Sequence, residues 1–321
     1  MSLSTDSLPS PRAAPSRNPE EIWSFLHTGM DRIMNEGPRA YVQNMHMYMY
    51  TAVYDYIALG KLIDGPVKSG LPSSLAKLEG ARLHGERLYV KVGGYLKDYL
   101  KRIIQAFSSI KDPEALLQYY NTQWEQYSER TKYISHLFSC FNRHWVASET
   151  RMRKKAGDFE SRPVYSIDTL ALILWNEHVF LPLQNQENNL TEAIIHLVNQ
   201  ERDGKTIDQN MIKNTLSSFF SIDIHAVGGL DCRHIYKNHF LVPFIRAMEI
   251  YYRSRSASFL EEHTTVEYVE EAQEWLRSEE ARIEAYLCMN KVERRDVIKK
   301  FDVLVHEYGD RDEVGLESKP C

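Results

Sequence analysis

Cysteine is scarce in this chain: Cys140, Cys232, Cys288 and Cys321 are the only four in 321 residues, far apart and without a CxxC pair. That spacing supports neither a zinc module nor a disulfide framework. A basic excess is also missing, since 39 Lys and Arg stand against 44 Asp and Glu, a net charge of −5. A general nucleic-acid binder needs the opposite balance. Apolar runs are interrupted within about ten residues, too few to span a bilayer, and the mean hydropathy is −0.45. The N-terminus lacks the basic-then-apolar layout of a secretory signal. The expectation is a chain of a reducing compartment, without a membrane span and long enough to bury a sizeable core.

Helix breakers are few, 15 Gly and 12 Pro. None falls between Glu114 and Ala156 or between Phe244 and Tyr308. Runs of that length rich in Leu, Ala, Glu, Arg and aromatic residues favour long helices, and no period-two alternation bounded by hairpin turns occurs. The class predicted is all-α. Residues 1–17, with three Pro and five Ser, bury too little to offset ordering entropy and read as a disordered tail. Asn18-Pro19-Glu20-Glu21 predicts a helix start; Ile22, Phe25, Leu26, Ile33 and Met34 then recur at helical spacing until Gly37-Pro38. A second helix is predicted from about Arg39 to Leu59, and residues 60–80, with four Gly and two Pro, read as a long loop.

Catalytic and metal signatures are absent. No GxSxG, GxxxxGK[ST] or GxGxxG occurs, and Gly93-Gly94 stands alone. His234 and His239 have no carboxylate at helical ligand spacing. Asp223 and Asp231 are isolated where a magnesium-dependent all-α enzyme needs clustered Asp. Glu261-Glu262, Glu270-Glu271 and Glu279-Glu280 alternate with Lys and Arg and read as solvated faces. No enzyme, cofactor or metal is expected.

One helix is anomalous. At about 100° per residue, Tyr41, Met45, Tyr48, Ala52, Tyr56 and Leu59 form one apolar stripe. Met47, Tyr50, Tyr54 and Ile57 form another on the opposite side, with His46 and Val53 at its edge. A surface helix has one apolar stripe; two stripes mean either full burial or a second face for a partner. Tyr and Met are favoured at interface centres. In a later helix, Ile134, Leu137, Phe138, Phe141 and Trp145 make a core stripe and leave Ser135, His136, Ser139, Asn142 and Arg143 on its back.

Met49-Tyr50-Thr51-Ala52-Val53-Tyr54-Asp55-Tyr56, Tyr119-Tyr120-Asn121-Thr122-Gln123-Trp124-Glu125-Gln126-Tyr127 and Phe141-Asn142-Arg143-His144-Trp145-Val146 together resemble the first repeat of a cullin. Leu170-Ala171-Leu172-Ile173-Leu174-Trp175, Glu201-Arg202-Asp203-Gly204-Lys205-Thr206-Ile207 and the stretch from Phe259 to Leu287 are similar to the second. The resemblance runs in order through roughly residues 20–305. It is strongest to the cullin-1 type, the scaffold of SCF ubiquitin ligases.

The resemblance implies an elongated stack of cullin repeats, each a bundle of five helices. It implies a first repeat over 18–155, a second over 156–288 and the start of a third over 289–321. In the family the second and fifth helices of the first repeat bind a Skp-type adaptor that carries an F-box protein. Carried over, the second-helix contacts fall on His46, Met47, Tyr50, Val53 and Tyr54, and the fifth-helix contacts on His136, Ser139, Cys140, Asn142 and Arg143. His46 replaces an aromatic common at its position. A complete cullin continues into a domain that binds the RING-box subunit and carries the modified lysine. Without that domain no RING partner is expected, and the chain reads as a fragment or as a competitor of a full cullin. Cytoplasm and nucleus are the expected compartments, and no nucleic-acid or membrane partner is expected. A helical-rod tether of vesicle traffic is the alternative, although no basic amphipathic helix or lipidation signal supports it.

Overall fold

A computed structural model describes residues 18–38, 43–62, 73–156, 163–186, 189–226 and 233–316, and every regular element among them is helical. The all-α class is therefore observed. In chain order the elements are α1 (Pro19–Glu36), α2 (Gln43–Leu62), α3 (Ser73–Phe107), α4 (Pro113–Leu137), α5 (Ser139–Phe141), α6 (Ala147–Ala156) and α7 (Ile167–Trp175). There follow α8 (Leu181–Gln184), α9 (Leu190–Arg202), α10 (Gln209–Ala226), α11 (His234–Tyr236), α12 (Val242–Glu262), α13 (Thr265–Ala285) and α14 (Lys291–Leu316). The tail over 1–17, the Gly228-Gly229 pair and Asp231 lie outside the described residues.

The predicted start and stop of α1 are observed. Glu20 N donates to the Asn18 side chain at 3.0 Å, Pro19 takes the first turn, where its missing N–H costs nothing, and Gly37 adopts φ +87° with its N–H on Ile33 O. Only glycine takes that conformation without strain. The loop expected over 60–80 is shorter, because α2 runs through Gly60 to Leu62 and α3 begins at Ser73. Isolated glycines weaken a helix by only about 1 kcal/mol each, which a long packed helix absorbs.

The chain packs as two compact units: one holds residues up to Ile103 together with Trp124–His178, the other Ile104–Gln123 together with Val179 onward. In the first unit, Leu26, Met30, Ile33 and Met34 of α1 are buried with Leu88, Val92, Leu96 and Leu100 of α3. The predicted stripe Ile134, Leu137, Phe138, Phe141 and Trp145 is buried throughout. Tyr127 donates its hydroxyl to Ala171 O at 2.9 Å and its ring lies 5.0 Å from Trp175, so α7 belongs to this unit's core.

Among the described residues three π-helical turns, Asn142–Val146, Asn176–Phe180 and Lys237–Leu241, interrupt the helical paths. Each follows an aromatic residue and carries a histidine at its third position: His144, His178 and His239. A π turn admits one extra residue, a shift that hydrophobic periodicity read from sequence does not register.

Gly85 is where α3 meets the first π turn. A Cβ there would lie 2.0 Å from Trp145 Cδ1 and Nε1, and that ring is anchored by a 3.0 Å hydrogen bond from Nε1 to Arg82 O. Gly→Ala in a helix interior ordinarily stabilises by about 1 kcal/mol. Here overpacking reverses the sign: Gly85→Ala is expected to cost about 2 kcal/mol, read as a lower urea midpoint for the first unit. A raised midpoint would show that Trp145 yields.

The second unit corrects one expectation. Glu279 does not sit on a solvated face: its side chain and that of Arg202 are 2% and 1% exposed. Arg202 Nε and NH2 meet the two Glu279 oxygens at 2.7 and 3.0 Å. Arg282 NH1 and the Tyr252 hydroxyl donate to Glu279 at 2.8 and 2.6 Å, and the Arg202 guanidinium lies over the Phe244, Tyr251 and Tyr252 rings. A pairwise reading of charges along one helix could not find a partner 77 positions away.

Candidate partner-docking surface

Helix α2 packs on α1 and α5. It turns Met49, Val53 and Tyr56 inward, all essentially without solvent contact. Taking Met47 as zero at about 100° per residue, these three fall at roughly 180–240°. Thr51 and Asp55 fall at about 40° and 80° on the far side. Met47 and Tyr54, two turns apart and about 20° from alignment, are 63% and 54% exposed. Thr51 between them is exposed and ties its hydroxyl to Met47 O at 2.9 Å. Tyr50 is half-buried at one margin and Tyr48, 37% exposed, lies at the other. A thioether and a phenol thus share one solvent-facing strip, with two more phenols at its margins.

His46 joins this strip to α4. Its ring lies 5.6 Å from that of His136 and 6.0 Å from that of Tyr133. Beyond His136 opens a shallow depression of about 520 Å³ lined by Lys132, Ser135, His136, Ser139, Asn142, Arg143 and Asp168. Its floor is a polar lattice. The Ser135 hydroxyl donates to Asp168 at 3.2 Å, the Asn142 amide donates to Ser135 Oγ at 3.1 Å, and Ile167 N donates to Asn142 Oδ1 at 3.1 Å. Burial alone would raise the Asp168 pKa. Hydrogen bonds from Ser166, Ser135 and backbone amides outweigh it and hold the carboxyl below its ordinary value.

The two helices singled out from sequence therefore meet in one surface, but not with every residue. Met47, Tyr54, His136 and Arg143 are exposed; His46, Tyr50, Ser139 and Asn142 are half-buried. Val53 and Cys140 are buried and face the packing of α2 on α5, so neither is presented to a partner. Tyr48, on the other of the two apolar stripes, is 37% exposed and lies at the solvent margin. The inward axis runs through Met49, Val53 and Tyr56, opposite exposed Thr51; with two apolar stripes on one helix, apolar spacing alone could not fix it. Tyr133 and Lys132 were not picked out from sequence and complete the surface. Among the described residues no group of three His, Cys, Asp or Glu is placed to hold a metal ion, and no helix is long and apolar enough to cross a membrane.

Helices α2 and α4 thus bring an apolar, ring-bearing strip to one helix–helix junction on the surface of an all-helical unit. The family model described as the cullin alpha solenoid domain matches residues 23–307, and the chain belongs to the cullin family. It is 29% identical over 297 residues to cullin-1 of Dictyostelium discoideum, covering 90% of this chain and 37% of that protein. Cell division control protein 53 of Saccharomyces cerevisiae is 26% identical over 305 residues, covering 88% and 35%. Cullin-1 of Caenorhabditis elegans is 28% identical over 286 residues, covering 84% and 34%. The chain spans about a third of the length of these relatives.

Proposed function

We propose that this chain is a non-catalytic scaffold segment of an SCF-type ubiquitin ligase. In this reading the strip on α2, together with the end of α4, grips a Skp-type adaptor that carries an F-box protein. The observation behind it is the pair Met47 and Tyr54, two large apolar side chains left mostly in water on a helix whose other face is fully packed. Their area and adaptable ends suit the centre of an interface. His46, its ring 5.6 Å from that of His136, lies where the two contributing helices meet. Kinship with cullin-1 proteins supports the choice of partner, and cytoplasm and nucleus are the compartments we propose for it.

The test is co-purification with a recombinant Skp-type adaptor. Wild-type chain is expected to retain adaptor, and Met47→Asp with Tyr54→Asp to lose it while keeping its helical circular dichroism, because both positions are exposed. Equal retention by the two proteins would refute the assigned face.

A further inference from the structure

Helix α6 carries a second surface of opposite character. Arg143 and His144 in the π turn, then Arg151, Lys154 and Lys155 on α6, are all exposed. Arg151, Lys154 and Lys155 fall within about 100° of one another around the helix. From Arg143 to Lys155 the stripe is about 18 Å long at 1.5 Å per residue, the reach of five or six residues of extended chain. The single carboxylate of α6, Glu149, is turned inward and is 2% exposed. There it accepts from Arg82 at 2.8 and 2.9 Å and from Arg153 at 2.8 Å. Among the described residues, Arg143, Arg151, Lys154 and Lys155 make no ion pair. The helix dipole favours cations in its last turn and so accounts for Lys154 and Lys155; it does not account for Arg143, His144 or Arg151.

We propose that this stripe binds an acidic, extended polypeptide segment of a protein partner. Four cations that form no ion pair among the described residues, on a chain of net charge −5, make a local field that steers a short anionic segment while the rest of the surface repels a long polyanion. Nucleic acid is disfavoured because the stripe exposes a single ring, the His144 imidazole, where a run of stacked bases needs several; Trp145 is buried. A membrane is disfavoured because no large exposed apolar side chain accompanies the cations; Met152 is half-buried. Arg143 also lines the depression beside His136, so the stripe begins where the docking surface ends. That the acidic segment belongs to the same partner rests on the reading under Proposed function; the chemistry of the stripe does not.

The test is fluorescence anisotropy of a labelled twelve-residue Asp/Glu peptide on the full chain at low salt. An RNA oligonucleotide of equal length and phosphatidylserine vesicles serve as the other probes. The peptide is expected to bind, to weaken as salt is raised, and to bind about tenfold more weakly to Arg151→Glu, Lys154→Glu, Lys155→Glu, on the order of several surface pairs lost. The milder Arg151→Gln, Lys154→Gln, Lys155→Gln should weaken it in the same direction should the reversal perturb folding. Tyr54→Ala should leave peptide binding unchanged. No peptide binding, equal affinity in the charge variants, or tighter binding of RNA or vesicles than of peptide would overturn the proposal. Failure of the adaptor to co-purify, with peptide binding as described, would sink the adaptor reading and leave this one standing.

Discussion

Glu279→Ala is expected to destabilise the second unit by about 3–5 kcal/mol, the range for breaking a buried ion pair from one side. The reason lies in what is left behind. Arg202 would stay buried beneath three rings without its counter-charge, and the Tyr252 hydroxyl would lose its acceptor. Arg282 retains Glu201 at 3.1 Å, so the loss concentrates on Arg202. Urea unfolding of a variant with Trp23, Trp124, Trp145 and Trp175 replaced by Phe, followed by the fluorescence of Trp275, 5.7 Å from Tyr252, reads this unit. Replacing both partners, Arg202→Leu with Glu279→Leu, should cost less than Glu279→Ala alone, because no unpaired buried charge remains. A single-mutant cost below about 1 kcal/mol would contradict the burial of the pair.

The same network has a pH signature. Burial alone would raise the Glu279 pKa; the charge and hydrogen bonds of Arg202, with help from Arg282 and Tyr252, outweigh it, and the pKa lies below its ordinary 4.5. A carboxyl with a depressed folded-state pKa contributes stability that is present above its unfolded value and lost as pH falls through the folded one. The stability gap between wild type and Glu279→Gln should therefore be constant near neutrality and shrink as pH falls below about 4.5. Groups that titrate in both proteins cancel from that difference. A gap that widens in acid would reverse the assigned sign.

The second large effect concerns docking. Tyr54→Ala and Met47→Ala should each weaken adaptor binding by about 2 kcal/mol or more, roughly thirtyfold, as expected for residues at the desolvated centre of an interface. Val53→Ala and Cys140→Ala should instead lower stability and leave the dissociation constant nearly unchanged, since both side chains are already inside the bundle. Surface plasmon resonance on these four variants separates the faces. The opposite ranking, with Val53 sensitive and Tyr54 neutral, would place the contact on the wrong side of α2.

Much of this was readable in the residues, for identifiable reasons. The Asn18-Pro19 start and Gly37 stop are local chemistry, and local chemistry survives folding. The core stripe from Ile134 to Trp145 was found because its back is polar, so periodicity had a contrast to report. On α2 that contrast is weak: spacing leaves two apolar stripes and no choice of face, and packing decides that Val53 is inside and Tyr48 at the solvent margin, with exposed Thr51 on the wet side. Cys140 enters the expected surface only through the resemblance, not through spacing, and its burial in this chain is a matter of packing that a motif match does not report. The inward roles of Glu149 and Glu279 depend on arginines 67 and 77 positions away in sequence, a separation over which no local pattern operates.

Hydroxyl-radical footprinting of the isolated chain, without and with a purified Skp-type adaptor, reads the solvent access of individual side chains and tests the docking surface most directly. Met47 and Tyr54 should be heavily oxidised in the free chain and protected several-fold in the complex, with His136 protected alongside them and buried Met49 unreactive throughout. Unchanged oxidation of Met47 and Tyr54 at saturating adaptor, or protection confined to another helix such as α12, would contradict the account.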